Sequence, residues 1–110
     1  METVSQYRQV ITSVRRDLAE MSAHDQIETL ALFDSNTDNY LVLDAGWNGV
    51  QRIHQIMAHL RICNGKIWVE ADKTDQEIVQ HLLNAGVAKE AIGLAFYAPQ
   101  KRPFTEFAVT

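Results

Sequence analysis

The chain has one cysteine among its 110 residues, Cys63, so no disulfide can close within it, and that usage fits a reducing compartment. It has no apolar run near the roughly 18 residues that a bilayer crossing needs. The first residues, Met1-Glu2-Thr3-Val4-Ser5, lack a basic start followed by an apolar core, and a cytoplasmic location is expected. Glycine is scarce and dispersed, at Gly46, Gly49, Gly65, Gly86 and Gly93, which excludes a Gly-rich phosphate loop. Positive charge is short as well: ten Lys and Arg stand against fourteen Asp and Glu, giving a net charge of −4 and a pI near 5.4. Binding to duplex phosphates draws on clustered cations to release counterions, and the only adjacent pairs here are Arg15-Arg16 and Lys101-Arg102. Tight DNA binding by the isolated chain is therefore not expected.

What is present is the composition of a folded domain, 46% hydrophobic and 22% charged with two prolines, read as one unit over residues 1–110 without linker or repeat. Val4, Tyr7, Val10, Ile11, Val14, Leu18 and Met21 recur at spacings of three and four, which predicts an amphipathic first helix. Residues 27–33 and 40–47 read as strands around a turn of Asp and Asn, whose side chains accept local backbone hydrogen bonds. Residues 50–62 fit a helical stripe or a strand equally well. The hairpin signals Asn48-Gly49 before them and Asn64-Gly65 after them favour a strand, with Val50, Ile56, Ala58, Leu60 and Ile62 on its apolar face and a bulge to accommodate its length. Residues 66–70 complete an antiparallel meander of four strands. Thr74-x-x-Glu77 reads as a capping box before a second helix through Ile78, Val79, Leu82 and Leu83, with Gly86 at its C′ position. After a helical turn at Lys89-Glu90-Ala91, residues 92–97 return to the sheet, and Pro99 and Pro103 bracket a basic loop before the tail at 104–109. The expected fold is α+β: a curved, mostly antiparallel sheet of about five strands with two helices packed on one face.

No constellation in this pattern carries catalysis by itself. Of the four histidines, His24, His54, His59 and His81, the pair His54 and His59 lies five apart, so a continuous strand would point them to opposite faces. His81 has no helical partner at i+4, and no metal or cofactor is expected. Cys63 would need a base such as His59 or His81 brought to it, and reads as an inert thiol. Asp34 and Asp38 belong to the turn, and with Asp44 they make no nuclease-like set. Trp47, Trp68 and Tyr97 read as sheet packing. Phe104 and Phe107 alternate with polar residues after a proline and must pack on their own sheet or on another subunit.

Four blocks follow one another in the second half: Gly65-Lys66-Ile67-Trp68-Val69, then Leu82-Leu83-Asn84-Ala85-Gly86-Val87, then Ile92-Gly93-Leu94-Ala95-Phe96, and last Arg102-Pro103-Phe104-Thr105-Glu106-Phe107-Ala108. With Gly46-Trp47 and His59-Leu60-Arg61-Ile62 upstream, they make the chain resemble the XisI family, the fdxN element excision controlling factors, from about Tyr7 to the last residue. Three positions depart from the family pattern. Lys73-Thr74-Asp75 stands where Gly-Thr-Glu is usual, Ala88 replaces a proline, and Tyr97 replaces a common histidine, so no chemistry through that histidine is open to this chain. The resemblance implies a regulatory protein that acts with a site-specific recombinase and a nuclease-like companion, XisH, and the composition and the lack of a catalytic constellation read as no enzyme. Arg102, Phe104, Thr105, Glu106 and Phe107 are the candidate partner-binding residues. The alternative is a component of a composite hydrolase or nuclease, with Asp75, Glu77 and His59 as its polar groups and Arg102 as an anion contact, completed by a partner. A third reading, DNA binding by a homodimer, needs the two arginine-containing pairs on one surface. A homodimer is expected in any case, because the edge strands of a short meander need cover.

Overall fold

The computed structural model describes the backbone of residues 3–21, 26–73 and 77–108 and the side chains of 4–13, 26–73 and 78–108. Helix α1 (Thr3–Met21) precedes strands β1 (Ile27–Asp34), β2 (Asn39–Asn48), β3 (Gln51–Cys63) and β4 (Lys66–Asp72). Helix α2 (Glu77–Asn84) and strand β5 (Ile92–Leu94) follow, with 3-10 turns at Lys89–Ala91 and Pro99–Phe104. The sheet runs in the order β1-β2-β3-β4-β5, antiparallel through β4, with β5 parallel to β4. This is the α+β architecture expected from the sequence. No helix among the described residues is long and apolar enough to cross a membrane.

Turn chemistry sets the hairpins. Cys63 faces Lys66, so the β3–β4 loop is Asn64-Gly65, both at positive φ (54° and 74°), the conformation a two-residue turn of type I′ requires. The β2–β3 turn lies one residue later than the sequence suggests. Asn48 pairs with Gln51, which leaves Gly49 (φ 64°) and Val50 at the tip, with Val50 98% exposed. Gly49 takes the left-handed position, and only the residue after it is free to complete the turn.

Residues 50–62 form a strand, but their apolar face is not a simple alternation. Val42 faces Ala58 while Leu43 faces Ile56, so Met57 is an extra residue on β3. A bulge of this kind exchanges the two faces of a strand. Beyond it Ala58, Leu60 and Ile62 are buried; before it Ile56 is turned outward and is 40% exposed. Val50 and Ile56 therefore leave the expected core face. The same bulge places His54 and His59 on one face of the sheet, opposite Ala45 and Leu41, where an unbroken strand would have separated them.

One face of the sheet carries the core. Tyr40, Val42, Ala58, Leu60, Ile62, Ile67, Val69, Ile92 and Leu94 meet Ile11 of α1 and Ile78, Val79 and Leu82 of α2. Both helices thus cover the same face, and Ser13 Oγ joins them by a 2.8 Å hydrogen bond with His81 Nε2. The capping box lies in part outside the described residues, at Thr74 and the Glu77 side chain. The other end of α2 is fully described. Gly86, at φ 96°, donates to Leu83 O, and Val87 donates to Leu82 O, which satisfies two of the carbonyls a helix end leaves open and seats Val87 beside Leu82.

A polar clamp fixes the start of α1 to the β1–β2 turn. Arg8 Nε and Nη2 donate to the two oxygens of Asp38 at 2.9 and 3.1 Å, and Tyr40 donates its hydroxyl to Asp38 Oδ1 at 2.8 Å. The Arg8 fork, aided by the Tyr40 hydroxyl, holds the Asp38 carboxyl below the usual carboxylate range. Asp38→Asn is the clean test, since Asn also tolerates the backbone at φ 55°. At pH 7 it should lower the melting temperature by about 3–6 °C. A depressed folded pKa contributes stability above the unfolded value of about 3.9 that is lost as pH falls through the folded value. The difference between parent and variant should therefore close below about pH 4 in thermal melts; a gap that persists at acid pH contradicts this assignment.

Candidate partner-docking site

Strands bury alternate residues, so the face away from the helices is built from the residues in between. At the β3–β4–β5 end these are Arg61 and Cys63, Trp68 and Glu70, and Gly93. The Asn64-Gly65 turn sets Arg61 directly opposite Trp68. Parallel pairing then sets Trp68 beside Gly93. A Cβ on Gly93 would overlap the Trp68 ring, so the glycine is what allows the indole to lie flat on β5.

Arg102, from the Pro99–Phe104 turn, closes over this indole. Its guanidinium carbon is 5.3 Å from the Trp68 ring centroid, within cation–π range. Nε donates to Tyr97 O at 3.0 Å and Nη2 to Ala95 O at 3.3 Å. Arg102 thus ties the turn to the segment after β5 through backbone carbonyls. Around it Arg61, Cys63, Asn64, Trp68, Glu70 and Ala95 line an open groove of about 340 Å³. Arg61 Nη2 lies 3.4 Å from Glu70 Oε2.

The tail residues take different positions. Phe104 is 89% exposed at the end of the turn, next to proline and arginine, and Phe96 and Tyr97 add a tilted pair of exposed rings 5.1 Å apart. Thr105 shapes the exit from the turn: its hydroxyl donates to Arg102 O at 2.8 Å and accepts from Phe107 N–H at 3.2 Å. Glu106 makes an exposed ion pair with Lys89 at 3.2 Å, of little energetic weight. Phe107 packs against the core, and Ala108 N–H bonds to Ile92 O at 2.8 Å, so the end of the tail covers the outer edge of β5. The tail therefore packs on its own sheet through Phe107 and Ala108 and leaves Phe104 outside.

Of the residues of the alternative reading, the structure describes the side chains of His59 and Arg102 and the backbone of Glu77. His59 lies on the open face, bonded to Asn39 Oδ1 at 2.9 Å, whereas α2, which Glu77 opens, packs on the opposite face. Asp75 and His24 lie outside the described residues, as do the side chains of Glu77, Arg15 and Arg16. Asp34 accepts from Asn36 N–H and Thr37 Oγ1, both at 2.9 Å, bonds that hold its carboxyl below the ordinary value. Asp44 is buried and accepts from Thr29 Oγ1 at 2.9 Å. Among the described residues no group of three or more His, Cys, Asp or Glu converges as a metal site would. The sequence points to Phe104 and Arg102 but not to the groove between the strands. The one signal for it in the chain is the Asn64-Gly65 turn, whose two-residue length sets Arg61 opposite Trp68.

Comparison with known proteins adds family information to this geometry. The family model described as XisI protein matches residues 1–109. The crystal structure of an fdxN element excision controlling factor XisI from Anabaena variabilis ATCC 29413 is 36% identical, covers 98% of this chain and 99% of its own, and superposes with a TM-score of 0.83. A XisI-like protein from the same organism is 29% identical over 96% of this chain and 98% of its own, with a TM-score of 0.88. Among curated proteins, none matches the chain significantly.

Proposed function

This chain belongs to the XisI family, and we propose that it serves as an excision controlling factor of a DNA rearrangement, acting without catalysis through protein partners. The partners are a nuclease-like companion, XisH, and a site-specific recombinase. The observation that carries this reading is Phe104, an aromatic ring 89% exposed in the same turn as Arg102, which lines the groove of the open face. Aromatic residues, Phe included, and Arg are enriched in protein interfaces relative to the rest of the surface. The acidic balance of the chain supports indirect action on DNA, since ten cations against fourteen acids cannot displace many counterions from a duplex.

A gel shift tests the indirect mechanism. The purified chain alone at about 150 mM salt should bind duplex DNA no tighter than about micromolar and without sequence preference. Submicromolar, sequence-specific binding by the chain alone would overturn it.

A further inference from the structure

The two edges of the sheet are treated differently. The β5 edge is three residues long and is covered by Ala108. The β1 edge is eight residues long, Ile27–Asp34, and has no proline, no lysine and no bulge in its pairing with β2; its charges are Glu28 and Asp34. Which of its backbone groups point outward follows from one bond. Trp47 N–H donates to Gln26 O at 3.0 Å, and the register continues as Ile27 opposite Gly46, so the even residues from Gln26 to Asp34 direct their N–H and C=O groups to β2. Ile27, Thr29, Ala31 and Phe33 direct theirs away from the sheet, and no described residue bonds to them there.

We propose that this edge is where a second copy of the chain docks, β1 pairing antiparallel with β1 of its twin about a two-fold axis at Leu30. The proposal stands on the strand alone and does not depend on the function proposed above. The hydrogen-bond pattern and the charges select the register. Outward groups must face outward groups, which couples Thr29 with Ala31 and Ile27 with Phe33 across the axis. This register sets Leu30 against Leu30 and Leu32 against Glu28, and it uses the whole strand. Centring on Ala31 instead would set Glu28 against Asp34, like charges directly opposite. Pairing at Leu30 keeps the acids apart and joins the apolar residues of the open face, Leu30, Leu32, Leu41 and Leu43, into one band across both copies.

The register makes a charge-exchange test possible at two residues that the fold leaves outside: Leu32 is 54% exposed and Glu28 is exposed. In sedimentation velocity at tens of micromolar the parent should be a dimer. Leu32→Glu, which sets a carboxylate against Glu28 of the twin at two symmetric places, should raise the dimer Kd by about tenfold or more. Adding Glu28→Lys should restore it to within about threefold of the parent. Amide exchange gives a readout that needs no variant. The amides of Ile27, Thr29, Ala31 and Phe33 should gain protection as concentration rises, while those of Leu30 and Leu32 stay protected throughout. A monomeric parent, a Leu32→Glu variant that dimerises as tightly as the parent, a failed rescue, or concentration-independent exchange at the odd residues would each overturn the proposal.

Discussion

Gly46→Ala should lower the melting temperature by about 10 °C or more, on the order of 3 kcal/mol. The reason is backbone, not side-chain, crowding. A Cβ at Gly46 would collide with the carbonyl oxygen of Gln26 and lie 2.7 Å from Ile27 Cα. A flexible side chain can turn aside, but here β1 itself must move from β2. The movement would strain the Trp47 N–H···O=C Gln26 bond and the pairing that follows it, Ile27 opposite Gly46. Thermal melts by circular dichroism read the effect directly, and a shift under about 3 °C would show that the β1–β2 pairing is looser than described. By contrast, Gly93→Ala meets the Trp68 ring, which can yield at the cost of its place on β5.

Phe104→Ser should leave the melting temperature within about 2 °C of the parent and weaken binding to the nuclease-like companion by tenfold or more. The two halves of this expectation come from one fact. A ring that is 89% exposed has little buried area to lose in the free chain, so its removal cannot cost the fold much. The same ring has nearly its whole surface to bury on a partner. Arg102 is a poorer probe of the interface. It holds Tyr97 O and Ala95 O and covers Trp68, so Arg102→Ala should loosen the turn and the groove together. Unchanged affinity in Phe104→Ser, or a marked loss of thermal stability, would remove Phe104 as the anchor.

Much of this arrangement could be read from the chain because local chemistry and long-range pairing agree. Asn64-Gly65 admits positive φ at both positions and thereby fixes β3 against β4, and Gly86 closes α2 as its place after Leu82-Leu83-Asn84 suggests. The first helix declares itself through Val4, Tyr7, Val10 and Ile11, of which Ile11 is buried in the core. What was not legible depends on register. The length of β3 predicts a bulge, but nothing in the composition places it at Met57, and that placement moves Ile56 outward and brings His54 to the face of His59. The strand expected over residues 92–97 stops at Leu94, where Tyr97 N–H bonds back to Leu94 O and the chain turns. The stack of Trp68 with Gly93 and Arg102 joins residues far apart in sequence, and only the parallel placement of β5 beside β4 assembles it.

The proposed role is tested most directly by titrating the purified chain into the purified nuclease-like companion by calorimetry, with Phe104→Ser as the paired sample. Saturable binding at micromolar Kd or tighter by the parent, weakened at least about tenfold in the variant, is the expected result. No complex at tens of micromolar, in a parent shown to be folded, would contradict it.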